Sequence, residues 1–354
     1  MRRLNLSNKL FRQSGLSLVE LMVAVTIGLV LLTGVLQIYL GSKQTYRIQD
    51  ALSRLQENGR IAIEMLQRDI RPAGYVGCRR LDAAVTPVAV APIPAVISGT
   101  TAITGNEGST TSWTPVLPAT VTTAVAKSDV LSIQRGDGCT VSLNKVMAGK
   151  DDPVKVFSTN TCNFKTGEVL VVSDCTNIDI FRVNSLSSVP ATAPGGPYQN
   201  INHATGTASN ISPALNNLYK TDAEVMRFQN YSYFIAPDNN NDPALWRLDQ
   251  TSSLSSGVAG VTDNPQQVVS DIADMQIEYG EDTNADNAPD YYVKANSVAD
   301  WSKVISVRIS LLARTREDNL TESPKTYTIG GASFTDKRIS RVYTTTILLR
   351  NRFQ

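Results

Sequence analysis

A single histidine, His203, stands in a chain of 354 residues, and no GxSxG, Walker or HExxH pattern accompanies it. Mechanisms that rely on an imidazole base or an activated nucleophile have almost nothing to draw on. No enzyme is expected, and His203 reads as a solvated loop residue. The four cysteines show no CxxC spacing, which argues against zinc. The formal net charge is only +1, and no basic run is interleaved with aromatics, so no nucleic-acid footprint is expected. Proline and turn clusters are missing from Ser42 to Arg71. From Leu16 to Leu40 formal charge is missing too, apart from Glu20.

That apolar run is about the length of a membrane-spanning helix. A lone carboxylate inside it costs about 2.5–3.5 kcal/mol on insertion scales, so Glu20 calls for a reason. Ahead lies a polar leader, Met1 to Ser14, with Arg2, Arg3, Lys9 and Arg12 and no acid. Basic residues stay cytoplasmic, so everything beyond the helix is expected outside the cytoplasm. A secretory signal places its small-residue cleavage site after the apolar core. Here Gly15 precedes the core, where only an enzyme at the cytoplasmic face could cut, leaving the helix on the mature protein. A simple single-pass anchor with Glu20 snorkelling to the interface is the plainer reading. It explains neither the Gly15 junction nor the position of Glu20.

Beyond the membrane half, Ile48, Leu52, Leu55, Gly59, Ala62, Leu66 and Ile70 recur at three- and four-residue steps. The opposite face carries Asp50/Arg54, Arg60/Glu64 and Glu64/Arg68 at i,i+4 spacing. Pro72 then ends the run. One helix from Leu16 to about Arg71 would be on the order of 80 Å long.

After Leu81 alternation and β-branched content predict strands at Asp129–Gln134, Val154–Phe157, Glu168–Ser173, Ile178–Val183, Met226–Ile235, Leu245–Leu248, Ala273–Tyr279, Val304–Arg314 and Tyr343–Leu349. Two long stretches rich in small and polar residues, 83–127 and 184–221, are long for loops in a compact domain. They are expected on the exposed face, as surface insertions with some structure of their own or as mobile segments. The fold class is thus α+β: a long N-terminal helix packed on an antiparallel sheet with long insertions.

By this topology Cys78, Cys139, Cys162 and Cys175 all face an oxidising compartment, and an even count favours disulfides. Of three pairings, Cys162–Cys175, closing a short loop, with Cys78–Cys139, pinning the helix end to the sheet, is the expected one. Asp282, Asn284, Asp286 and Asp290 take positions 1, 3, 5 and 9 of an EF-hand-like calcium loop. The twelfth position is Val293, so the bidentate carboxylate is missing, and an Asx-rich hairpin turn is the plainer reading of the pattern. Calcium is the one cofactor these residues suggest. Asp238-Asn239-Asn240-Asn241-Asp242 reads as a turn.

Basic leader, Gly15-Leu16-Ser17-Leu18-Val19-Glu20 and apolar helix together resemble the type IV prepilins. The runs 60–71, 73–78, 307–314 and 341–351 resemble the PilW-type minor pilins, with J-type minor pseudopilins of type II secretion the nearest rival. The resemblance implies cleavage after Gly15 by a prepilin peptidase and N-methylation of Leu16, where the family usually has Phe. It also implies pairing of Glu20 with a neighbouring subunit's amino terminus. The chain then divides into leader 1–15, transmembrane and filament-core helix 16–41, amphipathic helix 42–71 and a periplasmic β-rich domain 72–354. Net charge is −3 once the leader's four positive charges are taken from +1. Implied partners are major and other minor pilins, the peptidase, the inner-membrane assembly machinery and the membrane itself. The implied role is priming of the pilus at its tip, in support of twitching motility. A pseudopilin in secretion or a displayed adhesion subunit is the alternative.

Overall fold

The computed structural model describes residues 15, 17–78, 81, 85–89, 97–118, 121–158, 162–205, 210–251, 265–330 and 332–352. The leader through Ser14, Leu16 and parts of both insertions lie outside the described residues. Helix α1 spans Leu18–Ile70, ending just before the proline that the sequence marks as its stop. The chain divides into two compact units, Met1–Leu52 and Ser53–Gln354, so the whole β-rich part clusters as one body.

From Leu18 to Leu40, Glu20 apart, α1 is apolar all round and its large side chains are exposed. Thr26 and Thr33 donate their hydroxyls to Val23 and Leu29 carbonyls at 2.9 and 2.8 Å. Such back-bonding lets a hydroxyl sit in an apolar helix without an unsatisfied donor.

The second unit runs β1 (Ile103–Gly108), β2 (Trp113–Thr114), β3 (Val130–Ser142), β4 (Val154–Phe157), β5 (Val169–Ser173), β6 (Ile178–Arg182), β7 (Ser185–Val189), β8 (Tyr198–Asn202) and β9 (Glu224–Pro237). It continues through β10 (Pro243–Asp249), β11 (Gln266–Ser270), β12 (Ile272–Glu281), β13 (Tyr291–Val293), β14 (Val304–Arg314), β15 (Lys325–Ile329), β16 (Ala332–Asp336) and β17 (Ser340–Leu348). All pairings between these strands are antiparallel. A large sheet runs β11-β10-β9-β3-β1-β2, with β5 and β6 attached through β9, and a four-stranded sheet runs β13-β12-β14-β17. Leu55, Ala62, Leu66 and Ile70 of α1 share one core with Ile133 and Tyr233 of the large sheet and Ile277 and Ile309 of the smaller one. From Leu55 to Ile70 the stripe expected from the helix spacing is therefore the buried face.

Where α1 crosses β17, Gly59 leaves room for the Tyr343 ring: a Cβ there would meet ring carbons at 2.3–2.6 Å. Gly105 does the same on β1, where a Cβ would meet the Tyr279 hydroxyl at 1.9 Å. Strand β1 lies within segment 83–127, which corrects the expectation of surface decoration. It pairs with β3 inside the large sheet, and Ile97, Ala102 and Ile103 are buried. A strand reading Ile-Thr-Gly-Asn-Glu-Gly has little β propensity of its own and forms because β3 and Tyr279 hold it. Segment 184–221 supplies β7 and β8, which build a three-stranded sheet with β4.

Both expected disulfide pairs are wrong; the bonds are Cys78–Cys175 and Cys139–Cys162. Cys162 and Cys175 flank β5, and a five-residue strand holds its ends roughly 17 Å apart, whereas bonded cysteines need Cα atoms within about 7 Å. The turn after β5 instead meets the segment leaving α1. His203 corrects another expectation: it is buried, edge-on to Phe181, with Nδ1 and Nε2 facing the carbonyls of Pro213 and Asp152.

Gly59→Ala should lower Tm despite Ala's better helix propensity, because overpacking costs about 1–3 kcal/mol against about 1 gained. In Gly59→Ala/Tyr343→Ala the penalty from the glycine change should vanish, as read by thermal unfolding of the full-length chain in detergent.

Candidate functional site

The N-terminus of α1 is closed by its own side chains. The Glu20 N–H donates to Ser17 Oγ at 3.2 Å, and the Ser17 N–H reaches back to the Glu20 carboxylate at 3.5 Å. This is a capping box, spelled by Ser17-Leu18-Val19-Glu20 and legible in the sequence by its S-x-x-E spacing. A carboxylate in the first helical turn also complements the helix dipole. Glu20 thus has a local partner as well as the intersubunit one that the prepilin resemblance implies. Gly15 precedes it in irregular backbone. From Leu21, 55% exposed, to Leu36, 48% exposed, the side chains that follow carry no charge and are mostly apolar. The helix is long and apolar enough to cross a membrane.

At the other end of α1 the sequence reading missed a charged site. Asp69 is 1% exposed. Its carboxylate accepts from the Tyr233 hydroxyl, from Arg135 at 3.1 Å and from Arg247 at 3.5 Å, and Arg68 leans on it from solvent at 3.3 Å. Those partners come from β9, β3 and β10. Burial and the adjacent carboxylate raise the Tyr233 phenol above its ordinary pKa. An acid in the last helical turn opposes the helix dipole, so its tolerance here depends on the two guanidiniums. The available signal was position: Asp69 falls three residues after Leu66, on the buried stripe.

A second buried acid joins the two sheets. Asp129 accepts from Gly108 N–H of β1 at 2.9 Å and from Ile277 N–H of β12 at 2.8 Å. Burial is the main cause that pushes its pKa up to about 7, and nearby Asp274 is pushed up to about 6.

The calcium-loop residues all fall between β12 and β13. Asp282 accepts from the N–H groups of Ala285 and Asn287 at 2.7 and 2.9 Å, Asp286 from Ala288 at 2.8 Å, and Asp290 from Thr283 at 2.7 Å. Asn284 donates to Asp286 and Asp290 at 3.2 Å. The side-chain oxygens are thereby engaged in capping the loop's own turn. The Asp238–Asp242 turn does more than turn: Arg316 bridges Asp238 at 2.8 Å, Asp242 at 2.9 Å and Asp271 at 3.7 Å, tying the β9–β10 hairpin to the start of β12.

A family model described as type IV pilus-assembly protein W matches residues 232–351. Another, the prokaryotic N-terminal methylation motif, matches residues 10–36. No curated protein matches the chain. Among solved structures, a type IV-like pilin from Thermus thermophilus aligns at 13% identity over 54% of this chain and 87% of its own, with a TM-score of 0.20. The fold assignment therefore stands on the chain's own helix-on-sheet topology. Methylation motif, apolar helix and antiparallel sheet domain define a type IV pilin with a role in pilus assembly. Within that class the family match is to the PilW type, over a stretch beginning in β9 and taking in the whole four-stranded sheet.

Asp69→Asn should cost roughly 3 kcal/mol or more, because Arg135 and Arg247 are left buried without their counter-charge; denaturant unfolding of the full-length chain reads it. Asp129 makes a pH prediction. Its folded pKa lies above the unfolded 3.8, so its contribution is fully present below about 4 and is lost as pH rises through about 7. Tm should fall across that window, with Asp274 adding to the slope below pH 6, and Asp129→Asn should flatten it.

Proposed function

We propose that this pilin is a minor subunit that primes type IV pilus growth from a complex at the filament tip. The observation that carries the reading is the capped, exposed apolar helix from Leu18 to Leu40 on a chain whose residues 10–36 match the N-terminal methylation motif. In the bilayer that surface is solvated by lipid, and on extraction it needs an equally apolar environment, which a bundle of like helices supplies. Glu20 is then the one charge in the bundle. It is strongly unfavourable alone and stabilised by a buried ammonium such as a neighbour's methylated amino terminus.

In this reading prepilin peptidase removes residues 1–15, the sheet domain waits in the periplasm on an inner-membrane anchor, and the subunit moves to the pilus with other minor pilins. The role is structural, without catalysis, and calcium on the 282–290 loop forms no part of it.

The test is a clean deletion strain in which sheared major pilin and secreted proteins are quantified together. Lost pili with intact secretion is expected. Intact pili with failed secretion would move the assignment to a pseudopilin, and no change in either would leave adhesion as the role. Gly15→Ala should leave a longer, unmethylated chain by intact mass. Glu20→Ala should be cleaved normally yet fail to support pili, while Ser17→Ala, which removes the cap and keeps the carboxylate, should support them.

A further inference from the structure

The strand β17 closes the four-stranded sheet and leaves its other edge open. Its register with β14 runs unbroken over nine pairs. The Leu349 N–H donates to Ile305 and the Thr315 N–H to Ile339, both at 2.9 Å, which fixes the odd-numbered residues as those bonded to β14. Val342, Thr344, Thr346 and Leu348 therefore aim their N–H and C=O groups outward, and among the described residues nothing pairs with them. Natural sheets protect such edges with short strands, proline, bulges or charge. This strand has nine residues, no proline, no bulge and one charge, Arg341. Other edge strands among the described residues have at most five residues. Val342 and Leu348 are 39% and 50% exposed on the open side.

The edge leads into a basic cleft. Just past β17 the next outward group, the Arg350 N–H, bonds the Arg71 carbonyl at 3.0 Å. There a cleft of about 410 Å³ is lined by Glu64, Gln67, Arg68, Arg71, Pro72 and Arg350. Its single acid, Glu64, already pairs with Arg60 at 3.6 Å. Arg71 and Arg350 have no side-chain partner among the described residues.

We propose that β17 accepts an extended segment of a neighbouring subunit as a fifth, antiparallel strand, with acidic residues at that segment's N-terminal end seated among Arg68, Arg71 and Arg350. Backbone bonds to the open edge supply affinity, Val342 and Leu348 give a cross-strand apolar contact, and the charge complement sets register. The inference rests on the pilus-assembly reading and names a surface through which it works.

The test complements the deletion strain with full-length variants. Thr346→Pro removes an outward N–H that the sheet does not use and puts a ring in the path of the incoming strand. It and Arg68→Glu/Arg71→Glu should each reduce recovered pili about tenfold or more at normal levels of processed protein, with Arg68→Lys/Arg71→Lys largely restoring them. Hydrogen exchange on each purified variant in detergent should keep the Ile309 and Leu311 amides protected, which separates a blocked edge from unfolding. On the wild-type chain, a peptide of alternating Thr and Val behind two N-terminal Glu should slow exchange at Val342, Thr344 and Thr346, and its Lys-headed counterpart should not. Normal piliation by Thr346→Pro or by the charge reversal, or equal slowing by both peptides, overturns the inference. Slowing that appears on concentrating the protein alone assigns the edge to a second copy and also overturns it. Normal piliation in the uncomplemented deletion overturns the function reading instead.

Discussion

The seating of the helix on the large sheet is referred to one buried carboxylate. Asp69 stands at the end of α1 and is held by Arg135, Tyr233 and Arg247 from three neighbouring strands of the large sheet. Apolar contact between a helix and a sheet tolerates sliding and rotation, because it scales with area and has no direction. A buried charge held by fixed donors does not. The network therefore sets the angle and register at which the amphipathic half of α1 meets its sheet, and two further close fits depend on that register. The Tyr343 ring fills the gap over Gly59, and the Cys78–Cys175 bond ties the segment leaving the helix to the turn after β5.

The two sheets are joined by polar groups as well as by core. Asp129 accepts N–H groups from β1 and β12, and Arg316 gathers three aspartates at the junction of the β9–β10 hairpin with β12. Asp129 is buried and needs partners to leave water, whereas Arg316 stays half-exposed over its aspartates; both sit where two sheets that share no backbone ladder must keep their alignment. Around β5 the core is apolar on both faces: Leu170 and Val172 face one cluster, Val169 and Val171 another. This accounts for the near-continuous hydrophobic run there.

The two compact units use apolar surface in opposite ways. In Ser53–Gln354 the apolar stripe of the helix is covered; in the other unit the helix from Leu18 to Leu40 is apolar round its circumference, Glu20 apart, and exposed. The first arrangement is complete within one chain. The second is complete only in lipid or among other helices, and this is the physical content of a subunit that moves from membrane to filament.

Much of this was legible in the sequence wherever the cause is local or one-dimensional. An apolar run of bilayer length with one acid near its start defines the membrane half of the helix. The lack of proline up to Pro72 defines how far the helix continues. Val154–Phe157 and Val304–Arg314 announce themselves as strands by alternation, and Ser17 with Glu20 spells its own cap. What only the tertiary structure decided are matters of which distant segments meet. Asp69 is an ordinary helical acid until two arginines more than sixty residues away arrive beside it. The cysteines have three pairings until β5 separates two of them. The 103–108 stretch is a loop by composition until β3 and Tyr279 make it a strand, and the edge of β17 is open because no other strand among the described residues reaches it. Periodicity and composition carry local preference and burial face; partnership between remote residues is a property of the packed chain.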